Sequence, residues 1–287
     1  MITSLEADSS RVSAFSRTSS MPRIQAKVEI RNRFATWTAI GMLIGPAIAI
    51  VALHATVGAG ADASRIVVGL AAASVVLGGF VGVASELVTD QADGTVLRAR
   101  TLPVGLRGYL VGKVASLTVY NLVTMMLLIV PAQLFFGGIL PANPIVWIGL
   151  VVIGIVGLAS TVPAGAVVGC AVRSPLALLP VSLVSYALMA VSGIFFPVSS
   201  LPTFLEYLGK ATPIYWIGSS MRLLLTPELA ESAGEAATSQ VALGILVLGL
   251  WTAAGLVLAP RALKRMSGRQ SGVKLAKQQE LKAVRGY

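Results

Sequence analysis

Residues 86–105 read ELVTDQADGTVLRARTLPVG and lie between two long apolar runs, IVVGLAAASVVLGGFVGVAS before and VASLTVYNLVTMMLLIVPAQLFF after. Glu86, Asp90, Asp93, Arg98 and Arg100 gather here around the pair Gly94-Thr95. Charges concentrated in an otherwise apolar stretch can serve nucleotide binding, ion coupling or the docking of a partner. Nucleotide binding by a phosphate loop requires G-x-x-x-x-G-K-[ST], whose backbone amides and lysine cradle the phosphates. The nearest approach is GYLVGKV at 108–114, where the glycines are only four apart and Val114 stands in place of the magnesium-binding hydroxyl. The chain is therefore expected to hydrolyse no ATP by that mechanism.

Ion-coupled carriers hold acids or histidines deep in the membrane, at a cost of several kcal/mol, because the ion must bind there. Here Glu86 falls about one helical turn from the end of the second apolar run, His54 near the end of the first, and Lys113 near the start of the third. No charge falls near the middle of a run, which argues against a proton or sodium carrier, and His54 reads as an interface residue. The single Cys170 and single His54 leave no disulfide framework and no Cys- or His-based metal centre. Docking of a partner remains. Asp93 can cap a helix starting at Gly94–Thr95; Val96, Leu97 and Leu102 give it an apolar face, and Pro103 and Gly105 end it. A partner could grip such a helix; a solvated loop with flanking arginines is the alternative reading.

The elements that must position this insert follow from composition. The 287 residues are 55% hydrophobic and 12% charged, with a mean hydropathy of +0.83, whereas a soluble domain carries about 25% charged residues. That is too little polar surface to coat a globule in water, so an integral membrane protein is expected. A spanning helix needs about 20 apolar residues. Six segments qualify: Phe34–Val57, Ile66–Val88, Tyr109–Phe136, Ile145–Val172, Leu176–Phe196 and Val241–Leu263. They are continuous runs rather than the alternating strands of a barrel, so the expected class is all-α. With the N-terminus inside, all of the 22 lysines and arginines except Arg65, Lys210 and Arg222 fall on the inner side. This satisfies the positive-inside rule with both termini cytoplasmic. It also explains the net charge of +10 without nucleic acid.

Three domains follow. Residues 1–33 form an N-tail without a signal-peptide core, in which 23–33 are either a basic interfacial helix or a plain charged flank. Residues 34–263 form the membrane domain, and 264–287 a basic C-tail suited to a solvated role, to anionic lipid or to contact with a partner. Between spans 5 and 6, Leu201, Phe204, Leu205 and Leu208 trace one helical face, and IYWIGSSMRLLL follows Pro213. Both pieces are too short to span and suit re-entrant or interfacial helices, with Tyr207, Tyr215 and Trp216 at headgroup level. GxxxG spacings at Gly41/Gly45, Gly78/Gly82 and Gly165/Gly169 read as bundle packing; a contact between two permease copies at Gly41/Gly45 is the sharper reading.

In order and spacing, Glu86, Gly94-Thr95, Arg98 and the turn Thr101-Leu102-Pro103-Val104 resemble the first cytoplasmic loop of ABC-2 type permeases. These are the membrane subunits of type V ABC exporters. SGIFFPVSSLPTFLEYLGKATPIYWIGSSMR at 192–222, together with Asn32 and Pro46, extends the resemblance over roughly residues 25–265. The sequence is similar to the daunorubicin and multidrug branch. Where the family often has E-R-E-x-G-T, this chain has Asp90 and Asp93 with Gln91 and Ala92 between them.

The resemblance implies that 93–104 is a coupling helix docking into a separate ABC ATPase, with Glu86, Asp93, Gly94, Thr95, Arg98, Arg100 and Pro103 as the coupling residues. It implies two ATPase copies that carry ATP and magnesium, and a second permease copy or paralogue. The chain itself would be non-catalytic and without a cofactor, in a bacterial cytoplasmic (inner) membrane. Phe80, Met189, Phe195, Phe196, Tyr215 and Trp216 are the candidate wall of a substrate path. The expected cargo is hydrophobic or amphipathic, a drug or antibiotic moved outward. A lipid or lipid-linked glycan is the alternative within the class, and a carrier or channel without an ATPase, or a membrane scaffold, lies outside it.

Overall fold

The computed structural model describes residues 27–31, 37–57, 61–101, 105–136, 143–172, 174–192, 194, 202–225 and 234–269. Residues 27–31 are helical. The succeeding helices are α1 (Trp37–Val57), α2 (Ala61–Val76), α3 (Val83–Ala92), α4 (Thr95–Thr101), α5 (Gly105–Phe136), α6 (Pro144–Ala171), α7 (Leu178–Val191), α8 (Thr203–Ala211), α9 (Pro213–Leu225) and α10 (Glu235–Arg269). A π-helical turn, Leu77–Gly82, joins α2 to α3 without a break, and a 3₁₀ turn, Pro175–Ala177, leads into α7. No strand occurs among the described residues.

Four stretches are long and apolar enough to cross a membrane: Arg65–Ala92, Val111–Phe136, Pro144–Ala171 and Ser239–Met266. They correspond to the expected second, third, fourth and sixth spans. Two further apolar stretches, Ile44–Thr56 and Pro175–Val191, fall where the first and fifth were expected and are shorter. The chain is thus a multi-pass helical membrane protein.

Local chemistry sets the helix ends. α6 starts where the Asn143 side chain accepts a hydrogen bond from the Ile145 amide at 2.9 Å and Pro144 occupies the first turn, where its missing N–H costs nothing. Inside the helices, hydroxyls return to the backbone one turn earlier: Thr161 Oγ1 donates to Gly157 O at 2.9 Å and Ser185 Oγ to Val181 O at 2.8 Å. Those hydroxyls need no water there.

α6 is the central post. It carries α10 along its length, α3 and the π turn at one end, and α9 at the other. α5 packs on α1 and α2. The α6–α10 contact is close because Gly255 faces Pro163: a Cβ on Gly255 would lie 2.5 Å from the Pro163 Cβ. α9 is buried all round, from Pro213 through Met221, against α2, α6 and α10. α8 beside it is amphipathic, but its apolar residues Phe204 and Tyr207 point outward, at 74% and 70% exposure. That is the arrangement of a helix lying on a bilayer surface. Other exposed apolar residues, among them Ile48 on α1, Leu134 on α5, Ile148 on α6, Leu183 on α7 and Ile245 on α10, suit contact with lipid.

Candidate functional site: the charged joint of α3, α4 and α5

The polar insert is two helices, not one short helix. α3 continues the second span as far as Ala92, Asp93 closes it as C-cap, and α4 begins at Thr95. The bend is made by Gly94, buried, with φ +72°. A side chain disfavours that left-handed region, so glycine is the residue that fits. The Asp93 amide donates to Thr89 O at 2.9 Å at the end of α3, and the Arg98 amide to Gly94 O at 3.1 Å opens the ladder of α4. α4 packs against α3 and α5 with Val96 and Ala99 buried, and leaves Asp93, Thr95 and Arg98 exposed.

Behind α4 lies an ion cluster. Lys113 Nζ on α5 stands 2.7 Å from Asp90 Oδ2, 2.8 Å from Glu86 Oε2 and 3.5 Å from Glu29 Oε1, and the residue is 8% exposed. Tyr109, one turn before Lys113, donates its hydroxyl to Asp90 Oδ2. Glu86 and Asp90 share a face of α3 because they are four residues apart, as Tyr109 and Lys113 are on α5. Burying the ammonium without these carboxylates would cost several kcal/mol. The cluster therefore fixes the mutual position of α3, α5 and residues 27–31. Gln91 adds a tie to α6, donating from Nε2 to Gly169 O at 2.8 Å.

The expected coupling residues consequently fall into two groups. Asp93, Thr95 and Arg98 face outward, Gly94 makes the bend, and Arg100 lies on α4. Glu86 faces Lys113 instead. Pro103 lies outside the described residues. Asp90, Tyr109, Lys113, Glu29 and Gln91 are site residues that motif reading missed. Their signal was available: two acids four apart at the end of one apolar helix, and Tyr109 and Lys113 four apart at the start of the next.

Of the candidate substrate wall, the described residues are buried or half-buried. Tyr215 and Trp216 are buried in α9, their rings edge to face at 5.0 Å. Trp216 Nε1 donates to Lys210 O at 2.8 Å, and Gln240 Nε2 to Ser219 Oγ at 2.7 Å and to Tyr215 OH at 3.2 Å. These bonds hold α9 and its two aromatics inside the bundle. Tyr207, exposed on α8, fits that position. Met189 is buried in α7, Phe80 is half-buried in the π turn, and Phe195 and Phe196 lie outside the described residues. On α8, Lys210 bonds to Glu206 Oε1 at 2.6 Å, and that carboxylate holds the ammonium above the usual lysine range. His54 packs among Phe135 and Phe136, with ring centroids 6.0 and 5.1 Å away. No group of three or more His, Cys, Asp or Glu that could hold a metal ion occurs among the described residues.

Long apolar helices carrying a charged joint between two of them define a polytopic membrane protein. A family model described as ABC-2 family transporter protein matches residues 56–259, and the chain belongs to that family. The matched region includes the joint and runs through α8 and α9 into α10. No curated protein gives a match to the chain. Membership makes the chain an ABC-2 type permease, a transport component of an ABC system that implies an ATPase partner.

Proposed function

We propose that the chain is the permease subunit of an ATP-driven exporter, receiving force from a separate ATPase through α4 and the bend at Gly94. The observation that carries this reading is a short helix, packed on one face, that turns Thr95 and Arg98 outward between two spans. Asp93, Gly94, Thr95, Arg98, Arg100 and Pro103 would form the contact, with Glu86 holding its base. The membrane domain, residues 34–263, would have six spans, with α1 as the first and Pro175–Val191 as the fifth, between a cytoplasmic N-tail (1–33) and C-tail (264–287). α8 and α9 would lie at the outer face as interfacial and re-entrant helices. The distribution of lysine and arginine supports this orientation.

Two permease copies, identical or paralogous, would work with two ATPase subunits that hold ATP and magnesium, in a bacterial plasma membrane. Exposed Ile44, Ile48 and Val51 on α1 support a second copy there. So does Gly45, where an added Cβ would meet nothing within 4 Å. The cargo would be hydrophobic or amphipathic, a drug or antibiotic; a lipid or lipid-linked glycan is the second reading. A gradient-driven carrier is the reading of another class. Proteoliposomes of the purified chain alone, loaded with a lipophilic dye and given a proton or sodium gradient, should show no directed dye movement. Transport driven by either gradient would replace the exporter with the carrier.

A further inference from the structure

We propose that Glu206 and Lys210 on α8 form a charged binding site in a water-filled pocket near the middle of the bilayer, where they take the ionised head of an amphipathic molecule. This rests on the exporter reading and gives its cargo a charged end. The depth of the site follows from the contacts of α9 with α6. A Cβ on Gly149 would lie 2.9 Å from Leu224 Cδ1, and one on Gly157 would lie 3.1 Å from Ile217 Cδ1. α9 therefore runs antiparallel to α6. Ile217 is level with Gly157, the fourteenth of the 28 residues in the stretch Pro144–Ala171. α10 gives the same depth independently. Trp251 Nε1 donates to Ala211 O at 3.1 Å, and Trp251 is the thirteenth of the 28 residues in Ser239–Met266. α8 thus slants inward from the surface, and its last turn lies near the middle of the apolar bundle.

Backbone groups at that depth must find partners within the protein. Gly209 O accepts from Thr212 Oγ1 at 2.8 Å, Lys210 O from Trp216 Nε1 at 2.8 Å, and Ala211 O from Trp251. The charged side chains of the same turn are placed differently. Lys210 Nζ stands 2.6 Å from Glu206 Oε1, and among the described residues the two side chains bond to nothing else. They stay 41% and 32% exposed. A charge facing hydrocarbon near the bilayer centre costs several kcal/mol, and ionisable groups inside membranes face the bundle interior or a water-filled cavity. Nor can the pair escape to the surface. Gly209 packs so closely that a Cβ there would lie 2.8 Å from Val191 O, which fixes α8 against α7. A lysine stem does not cover the distance of about 15 Å from the bilayer middle to its surface.

The pair is neutral as a whole, so an acyl chain gains nothing from it. An ionised head does: an anionic group can take the place of Glu206 beside Lys210, and a cationic group the place of Lys210 beside Glu206. Phe204 and Tyr207, exposed on the adjoining face of α8, offer the body of such a molecule an apolar and aromatic surface. Charge and aromatic surface on one short helix match the two ends of an amphiphile. The site therefore favours an amphipathic cargo with a charged head over a purely hydrophobic one.

Two experiments on the full chain in lipid nanodiscs test the site. A thiol reacts as its thiolate, which apolar surroundings suppress. With Cys170→Ala as background, Lys210→Cys should react with methanethiosulfonate ethylsulfonate about tenfold faster or more than Ala253→Cys, which is exposed on α10 at nearly the level of Trp251. Equal rates, or no reaction of Lys210→Cys, would overturn the wet pocket. The second experiment measures binding of a cationic dye, tetramethylrhodamine ethyl ester, and an anionic one, fluorescein. Lys210→Met leaves Glu206 and should raise the ratio of cation to anion affinity; Glu206→Gln leaves Lys210 and should lower it, each by about tenfold. Ratios that stay at the wild-type value, or that move in the same direction in both variants, would overturn the binding site. Neither readout needs an ATPase. Fast labelling and opposed shifts, with no ATPase captured by the wild-type chain, would leave the site standing and reject the exporter reading.

Discussion

A chain carrying Gly94→Val and Arg98→Glu should reach the membrane in normal amount and lose transport. Gly94 is buried at φ +72°, a conformation that costs a side-chain-bearing residue about 1–2 kcal/mol, and more when it is β-branched. The bend should re-form at other dihedrals and swing α4 off its seat on Val96 and Ala99. Arg98 lies on the exposed side of α4, so reversing its charge alters the face offered to a partner. A loss of about 1.4 kcal/mol in the coupled step is a tenfold fall in rate, and the pair of changes should exceed that. Transport assays in cells, normalised to immunoblotted membrane protein, would check it. Normal transport by this variant would remove α4 from the coupling path.

Lys113→Met should be damaging for a different reason. It leaves Glu86 and Asp90 facing a methionine in a partly buried site. Breaking one side of a buried ion pair costs about 3–5 kcal/mol, and the 16–25% side-chain exposure of the two acids puts this case toward the lower value. The protein should melt several degrees lower in detergent and accumulate less in the membrane. Lys113→Arg keeps the charge and should restore most of both. If Lys113→Met melted like the wild type, the cluster would not fix α3 against α5.

Much of the fold could be read from hydropathy because lipid demands long apolar helices, and four of the six expected runs reappear with bounds shifted by a few residues. The shifts have causes. The second span continues from Val88 to Ala92 because Asp90 is neutralised by Lys113 and does not end the helix. The last helix runs from Glu235 to Arg269, past both ends of its apolar part, because polar residues at a membrane boundary can stay helical in water. The insert was legible as charged and helical at 95–101, but the left-handed bend was not, since Gly94 marks permission for such a conformation rather than its presence.

The π turn was invisible for a similar reason. LGGFVG reads as GxxxG packing at Gly78/Gly82, and apolar periodicity does not separate a π turn from an α turn when nearly every residue is apolar. The burial of Tyr215 and Trp216 was not legible because an aromatic pair in a short apolar helix suits either an exposed surface or a core. Gln240, twenty-odd residues away, decides it by bonding to Tyr215 and Ser219. The Lys113 cluster was half-legible: each i, i+4 pair could be seen, but not that the two helices face each other.

The most direct test of the central claim is affinity capture of the tagged chain from native membranes in mild detergent, with mass spectrometry of the proteins that accompany it. The account predicts a stoichiometric ATPase subunit with its own nucleotide-binding motifs, lost when Gly94 and Arg98 are altered. Capture of the intact chain with no ATPase would contradict it and return attention to ion-coupled transport around Glu86 and His54.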